Sequence, residues 1–301
     1  MAGRVSAECG VVMGEARVPA GREPGDWYMP GPSRALGVDA HRASVARVYA
    51  FFLGSENHYQ VDQVAAGEIL AVFPEALDAV WSNRGFHDQA ALWMARQGIR
   101  QFVDVGCGLP VDTDTYNTVR RILPSPRVIY VDRDPAVVAH AHALLRRRGE
   151  TSVLAADICD PPDLVAGLHL DGLIDLAEPV GLLVTGVMHF AADSADPWGC
   201  VARVMAALAP GSFLALSHAT ADLLDQRTAQ AITRIYAGAG AQLCFRTRAE
   251  VARFFDGLTL VPPGAGADPG VVHAGLWRCA DPEMASSPGA QAVYCGVACR
   301  V

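Results

Sequence analysis

Three short apolar runs in the middle of the chain each carry an acidic residue near their carboxyl end. They cover residues 101–105, 128–132 and 152–157, and the acidic residues are Asp104, Asp132 and Asp157. Apolar runs without polar alternation are typical of strands buried on both faces of a parallel sheet. Such sheets bind ligands at the carboxyl ends of their strands. The pattern therefore predicts three carboxylates at one sheet edge, where they suit the hydroxyl groups of a nucleoside-like ligand.

Helical periodicity dominates the chain before residue 101. A first apolar stripe ends at Gly54 and consists of Val45, Val48, Tyr49, Phe52 and Leu53. A second ends before Pro74 and consists of Val61, Val64, Ala65, Ile69 and Val72; a third includes Leu77, Val80, Trp81, Phe86 and Trp93. These stripes predict three helices ahead of the first strand. The helices form a lid over the ligand edge, or they only cover one face of the sheet.

The turn after the first strand, Gly106-Cys107-Gly108, differs from a dinucleotide-binding fingerprint. That fingerprint needs a third glycine and a helix whose N-terminus faces the pyrophosphate. Here Leu109 and Pro110 follow instead, and the acidic residues after them would repel a pyrophosphate. S-adenosylmethionine, which is cationic and has no phosphate groups, suits this turn better.

The acidic and glycine residues resemble the cofactor motifs of class I S-adenosylmethionine-dependent methyltransferases. Asp104-x-Gly106-x-Gly108 matches the first motif, Asp132 the second and Asp157 the third. The segments 47–59, 82–86 and 188–190 further resemble one actinobacterial family of S-adenosyl methyltransferases, formerly a domain of unknown function. The likeness extends from about residue 42 to residue 301. The chain departs from the usual family pattern at Ala50, Ser55, Glu56, His58 and Cys107.

The resemblance implies an α/β fold, namely a Rossmann-like seven-stranded, mostly parallel sheet with helices on both faces and an N-terminal helical lid. Apolar runs at 180–187, 213–217, 258–260 and 292–297 supply the later strands, and the last is expected to be antiparallel. We expect a disordered leader over residues 1–37, a helical cap over 38–98 and a methyltransferase core over 99–301. The leader is rich in Gly, Pro, Arg and Ala and lacks a signal-peptide core.

Two of the carboxylates are expected to hold the nucleoside. Asp132 can accept hydrogen bonds from both ribose hydroxyls. Its alternative role is to cap the next helix, for which Asp134 is better placed. Asp157 can accept from the adenine amino group while Ile158 packs on the base. Its alternative is also a helix cap, for which Asp160 competes.

The remaining cofactor contacts are expected from the glycine turn. Asp104 orders this turn or meets the ammonium group of the methionine moiety. Gly106 and Gly108 let the backbone approach the ligand without a Cβ in the way.

The predicted lid contributes Arg47, Tyr49 and Asn83 as further cofactor-binding candidates. Arg47 and Asn83, together with Asn57, are polar residues inside the family-like blocks, and they hold the methionine carboxylate or hydrogen-bond within the lid. Tyr49 belongs to an apolar stripe, and such aromatic residues are more often core. Glu56 replaces the lysine that is usual in the family, so acceptor preference or activity can differ here.

His189 is the candidate catalytic residue, because this fold places acceptor-facing residues after the fourth strand. A histidine titrates near neutral pH and can deprotonate a hydroxyl, amine or thiol. The alternative is a structural histidine that bonds a loop carbonyl. His218 and His58 are weaker candidates of the same kind.

Composition limits the partners of the protein. A net charge of -8 argues against non-specific nucleic-acid binding but permits a small-molecule methyl acceptor. No segment reaches the ~20 apolar residues of a membrane span, so we expect a cytoplasmic protein. The eight cysteines form no zinc pattern, and Cys295 and Cys299 are expected to be ordinary buried thiols rather than a metal pair.

Three functional hypotheses follow from the sequence. The first is an S-adenosylmethionine-dependent methyltransferase that acts on a small molecule. The second is a non-catalytic S-adenosylmethionine-binding or regulatory protein, because cofactor motifs report binding rather than turnover. The third is a nicotinamide-dependent oxidoreductase on a similar sheet, which the missing third glycine disfavours.

Overall fold

In the described part of the chain, eight strands form a single sheet. The computed structural model describes residues 39–111, 113–145, 149–278 and 285–301, so the predicted leader over 1–37 lies outside the described residues. The strands are β1 Gln101–Val105, β2 Arg127–Asp132, β3 Thr151–Ala155, β4 Gly181–Thr185, β5 Phe213–Ala219, β6 Thr259–Leu260, β7 Val272–His273 and β8 Val293–Cys299. Their order is β3-β2-β1-β4-β5-β8-β6, and β7 also pairs with β8. The first five strands are parallel, whereas β8 runs antiparallel to β5.

The predicted mixed α/β architecture is confirmed, and the strand count is corrected from seven to eight. The additional strand is β7, a two-residue ladder in which Val272 and His273 pair with Cys295 and Tyr294. Two residues are too few to produce a periodic pattern, so the sequence carries no signal for this strand.

Helices cover both faces of the sheet and precede it. They are α1 Val45–Phe52, α2 Gln60–Val72, α3 Ala76–Arg96, α4 Thr115–Val119, α5 Pro135–Leu144, α6 Pro161–Asp171, α7 Pro197–Ala207, α8 Gln226–Gly238, α9 Arg248–Ala252 and α10 Pro288–Gln291. Asp134 caps α5 and Asp160 caps α6, each by accepting a backbone N–H from the first turn. Among the described helices, none combines the length and the apolar composition that crossing a bilayer requires.

Alternate residues of the central strands enter two separate cores. Val103 and Leu182 point to the face covered by α6 and α7, whereas Phe102 and Leu183 point to the face covered by α3 and α4. Because the central strands are buried on both faces, their apolar runs are continuous, as the sequence predicted. Since both faces of the sheet are covered, a ligand can reach the central strands only at their polar carboxyl ends.

A third apolar cluster joins the predicted lid helices to α8. Phe52 of α1, Ile69 of α2 and Ile232 of α8 are among its buried members. The predicted apolar stripes hold only in part, because Val64 is 54% exposed and Trp81 is 41% exposed. The buried face of α2 consists of Asp62, Ala65, Ala66 and Ile69.

Candidate functional site

A cavity of 590 Å³ lies between the carboxyl ends of the parallel strands and the lid helices. Ten of the residues that the sequence proposed for the site line this cavity, namely Arg47, Tyr49, Asn83, Asp104, Gly106, Gly108, Asp132, Asp157, Ile158 and His189. Glu56 and Asn57 are exposed in the loop after α1 and do not line it. The substitution at Glu56 therefore lies outside the cavity wall.

The glycine turn after β1 brings the backbone to the floor of the cavity. Gly106 and Gly108 adopt left-handed φ angles of 67° and 65°, which favour glycine. A Cβ on Gly106 would lie 2.3 Å from Cγ2 of Val187, whereas a Cβ on Gly108 would have no protein atom within 4 Å. The backbone N–H of Gly106 donates to the carbonyl oxygen of Val131 at 2.7 Å. The turn is thus packed on one side and open on the other.

Asp132 at the end of β2 is fixed by backbone donors. Its carboxylate accepts from the N–H of Gly108 at 3.1 Å and from the N–H of Asp134 at 2.9 Å. Since Asp134 caps α5, Asp132 is not needed as the helix cap. Burial raises the pKa of the Asp132 carboxyl. A carboxylate held by two backbone donors keeps lone pairs for a diol ligand.

Asp157 and Ile158 follow β3 on the same edge. The Asp157 carboxylate accepts from the N–H of Cys159 at 2.9 Å, and Arg133 lies 3.1 Å from it in an exposed ion pair. Because such a surface pair contributes little free energy, a ligand donor can displace it. Ile158 is 3% exposed, and Asp160 caps α6, which relieves Asp157 of that role.

Asp104 belongs to a buried hydrogen-bonded chain that the sequence analysis missed. The hydroxyl of Thr115 donates to Asp104 at 2.6 Å, and Nε2 of His87 lies 2.8 Å from the same hydroxyl. Nδ1 of His87 lies 2.8 Å from the hydroxyl of Thr185. Because the Thr115 hydroxyl donates its proton to Asp104, Nε2 of His87 must donate to the Thr115 oxygen. Nδ1 of His87 then accepts from the hydroxyl of Thr185. Burial raises the pKa of Asp104 to about 6 and lowers that of His87 well below its usual value.

Arg84 supplies a cation beside this chain and was also not identified from the sequence as a ligand. One terminal nitrogen donates to the carbonyl of Thr113 and lies 3.0 Å from Asp88. Its Nε is buried and has no hydrogen-bond partner among the described residues. Arg84 lines the cavity with its side chain only 12% exposed. This guanidinium therefore retains a donor for an anionic group.

Arg47 is held inside the lid. Its Nε lies 2.7 Å from the carboxylate of Asp62, which is fully buried, and its terminal nitrogen donates to the carbonyls of Asp39 and Arg42. These contacts tie α1 to α2 and to the segment ahead of α1. A contact of Arg47 with the cofactor stays a prediction.

Tyr49 and Asn83 connect the lid to the strand ends. The Asn83 amide nitrogen donates to the Tyr49 hydroxyl at 2.8 Å, and its oxygen accepts from the hydroxyl of Ser217. The Ser217 oxygen accepts from the N–H of Gly186 at 2.9 Å. Burial raises the pKa of Tyr49. Both predicted residues therefore line the cavity as members of one hydrogen-bonded chain.

His189 lies in the 3₁₀ turn Met188–Phe190 after β4. Its Nδ1 accepts from the backbone N–H of Ala219 at 3.3 Å, and burial lowers its pKa well below the usual value. A backbone N–H can only donate, so the ring hydrogen is on Nε2. This geometry favours a hydrogen-bond donor over the general base expected from the sequence. His218 lies beneath His189, fully buried, and does not line the cavity; nor does His58.

The two cysteines singled out near the end of the chain lie on β8. Cys295 is fully buried and burial raises its pKa, while Cys299 is half-buried. Within the described ranges, no group of three or more His, Cys, Asp or Glu side chains could hold a metal ion.

The arrangement fits S-adenosylmethionine on three observations of this structure. Open space lies above Gly108, the buried Nε of Arg84 has no partner among the described residues, and Asp132 presents a fixed carboxylate. A pyrophosphate would instead meet the carboxylates of Asp132 and Asp134 near the helix start.

Comparison with known proteins identifies the family of the chain. A model of the S-adenosyl methyltransferase family matches residues 33–301. A candidate S-adenosyl-L-methionine-dependent methyltransferase of Mycobacterium marinum is 32% identical over 176 residues, which are 56% of this chain and 52% of that protein. The chain thus matches about half the length of this curated relative.

Two crystal structures cover most of the chain. A DUF574 family protein from Streptomyces avermitilis is 31% identical with a TM-score of 0.79, covering 87% of this chain and 99% of its own. A candidate methyltransferase from Thermobifida fusca is 29% identical with a TM-score of 0.80, covering 90% of this chain and 99% of its own. The resemblance noted in the sequence is thereby confirmed. The chain belongs to the S-adenosyl methyltransferase family, whose cofactor is S-adenosylmethionine.

Proposed function

We propose that the protein transfers the methyl group of S-adenosylmethionine to a small-molecule acceptor enclosed between the sheet edge and the lid. The observation that carries this proposal is the continuity of the cavity. It runs from the carboxylates at the ends of β1, β2 and β3 to His189 and the apolar lid helices. A cofactor on the strand ends and an acceptor under the lid would therefore share one enclosed space.

The cofactor contacts follow from the donors and acceptors present. Asp132 accepts from the ribose hydroxyls, and Asp157 accepts from the adenine amino group while Ile158 packs on the base. Asp104 faces the ammonium group of the methionine moiety, and Arg84 holds its carboxylate through the donor that has no partner among the described residues. Opposite charges thus meet at both ends of the zwitterionic amino-acid group.

Methyl transfer depends more on the orientation of the two reactants than on proton transfer. When bound, the cofactor supplies an electrophilic methyl group on its sulfonium. Holding two reactants in line under an enclosing lid contributes much of such a rate enhancement. The lid helices and the strand ends supply that enclosure here.

Calorimetric titration with S-adenosylmethionine, S-adenosylhomocysteine and NAD tests the cofactor assignment. We expect both sulfur nucleosides to bind and NAD not to bind, and Asp132→Ala to lose the binding. Asp160→Ala is the matched control, because it removes an aspartate that caps α6 outside the cavity. Binding of NAD alone would overturn the proposal.

Transfer itself is tested with S-adenosylmethionine carrying a labelled methyl group and a panel of small acceptors. Label in an acceptor, dependent on Asp132, supports the enzyme. Tight binding of both nucleosides without transfer to any acceptor class would favour a binding or regulatory protein.

A further inference from the structure

The lid side of the cavity is apolar. Its walls come from α1, α2, α3, α8 and the loop after α8, and we call this part the lid compartment, formed by Phe52, Ile69, Phe73, Val80, Ile232 and Leu243. These residues belong to one hydrophobic cluster, which distinguishes them from the carboxylates at the strand ends. An acceptor in this compartment meets hydrocarbon surface on most sides.

The charged side chains that line the lid side of the cavity are exposed or already paired. Asp39 and Arg42, ahead of α1, are exposed, with Arg42 beside Gly240, and Arg47 is paired with the buried Asp62.

In the described part of the chain, cavity-lining residues between 185 and 293 include no Asp, Glu, Lys or Arg. Beside Thr185, which bonds His87, the polar side chains of this stretch are His189 and Tyr236. A charged acceptor inside the lid compartment would lose its hydration and find no buried, unpaired counter-ion there.

The orientation of His189 is set by a chain of donors beneath it. A terminal nitrogen of Arg246 lies 2.7 Å from Nε2 of His218, and a guanidinium can only donate. Nδ1 of His218 therefore carries its hydrogen and donates to the carbonyl of Ala219 at 2.7 Å. The N–H of the same Ala219 donates to Nδ1 of His189. The remaining nitrogen of His189, Nε2, carries a hydrogen and has no partner among the described residues.

Tyr236 supplies a second polar group that lines the cavity without a hydrogen-bond partner among the described residues. Its hydroxyl has no hydrogen-bond partner within the described ranges, and burial raises its pKa to about 12. It therefore remains a neutral phenol. Two polar groups in an apolar wall are stabilised when a ligand supplies atoms with which they can hydrogen-bond.

We propose that the methyl acceptor is an uncharged, mainly apolar molecule with an oxygen or nitrogen lone pair that takes the methyl group, and that His189 positions the molecule by donating a hydrogen bond from Nε2 to another of its lone pairs. The inference rests on the proposed methyltransferase function and names the acceptor class of the same site. In this role His189 contacts the acceptor and does not remove its proton, which an O–H or N–H acceptor releases to water after the transfer.

Two matched dyes test the acceptor class. N-phenylnaphthylamine is neutral and carries an amine nitrogen, and anilinonaphthalene sulfonate adds a negative charge to the same aromatic frame. With the protein saturated with S-adenosylhomocysteine, we expect saturable binding of the neutral dye. The sulfonate should bind at least about tenfold more weakly, because its charge loses hydration. Equal binding of both dyes, or no saturable binding of the neutral dye, would overturn the proposal.

Neighbouring leucines locate the dye. Leu224 lines the cavity, whereas Leu223 is 63% exposed and does not line it. We expect Leu224→Glu to weaken binding of the neutral dye by about tenfold or more, since it buries a charge, while Leu223→Glu binds like the wild type. Wild-type dye binding in Leu224→Glu would refute the location. If Leu224→Glu does not fold, Val80→Glu repeats the test from α3, with the exposed Leu77→Glu as its control.

Binding of S-adenosylhomocysteine, measured on each variant, separates the two claims. If the wild-type protein does not bind S-adenosylhomocysteine, the proposed function is contradicted. Retained binding together with failure of the dye test contradicts only the acceptor class.

The hydrogen position on His189 is measured directly by long-range proton–nitrogen NMR correlation on histidine-labelled protein. His189→Gln assigns the signal. We expect a neutral ring with hydrogen on Nε2 at neutral pH. Hydrogen on Nδ1, or a doubly protonated ring, would overturn the donor role.

Discussion

Alanine substitutions at the two glycines of the turn are expected to destabilise the protein to different degrees. Both positions have left-handed φ angles, and a Cβ in this region costs about 1–2 kcal/mol. At Gly106 the added Cβ would also lie 2.3 Å from Cγ2 of Val187, and overpacking of this kind costs about 1–3 kcal/mol. At Gly108 no protein atom lies within 4 Å of the added Cβ. We therefore expect losses of about 1–2 kcal/mol for Gly108→Ala and about 2–5 kcal/mol for Gly106→Ala.

Urea denaturation measures both losses, and a double-mutant cycle isolates the clash. The cycle compares Gly106→Ala, Val187→Ala and the double variant with the wild type, so the cost of shortening Val187 cancels. We expect a favourable coupling of about 1–3 kcal/mol in the double variant. The same cycle with Gly108→Ala is the control and should show no such coupling. Equal losses at the two glycines, or no coupling between Gly106 and Val187, would refute the steric argument.

Three further predictions concern charged residues of the site and the lid. Arg84→Gln should weaken S-adenosylmethionine binding by about tenfold or more in calorimetry, because a charge-assisted hydrogen bond is lost. Binding of methylthioadenosine, which lacks the carboxylate, should not change. An equal loss of affinity for both ligands would contradict the role of Arg84. Burial raises the pKa of Asp104 to about 6, above its unfolded value, so its contribution to stability is present at low pH and is lost as pH rises through about 6. Asp104→Asn should therefore gain stability relative to the wild type, by up to about 3 kcal/mol, between about pH 4 and pH 7 in urea denaturation, and a difference independent of pH would contradict this. Arg47→Ala leaves the buried Asp62 without its counter-ion and should cost about 3–5 kcal/mol in the same assay, whereas Arg47→Met with Asp62→Asn should recover part of that loss; no recovery would contradict the ion-pair explanation.

The sequence predicted which strand-end residues line the cavity, because each of them has a local signal. An apolar run ends at Asp132, and Asp134 caps the following helix, so a few residues of chain are enough to predict that Asp132 is available to a ligand. The same holds for Asp157. Gly106 and Gly108 mark the turn by their spacing, and the structure confirms that both need positive φ angles.

The chain of hydrogen bonds behind Asp104 has no such signal. His87, Thr115 and Thr185 come from α3, α4 and the end of β4, and they meet only because α3 packs on the sheet. A single histidine in a helix or a threonine at a strand end is common in any protein. The hydrogen position on His189 is likewise decided by Ala219, thirty residues further along the chain.

Helix α3 couples the two halves of the site. Asn83 and His87 are four residues apart and therefore share one face of the helix. Asn83 bonds Tyr49 of the lid, and His87 bonds Thr185 at the sheet edge. Phe86, on the same helix, packs α3 against the sheet; it is 1% exposed and belongs to the core beneath α3. One rigid helix thus fixes the distance between the lid and the strand ends, so a change that shifts α3 should alter cofactor and acceptor binding together.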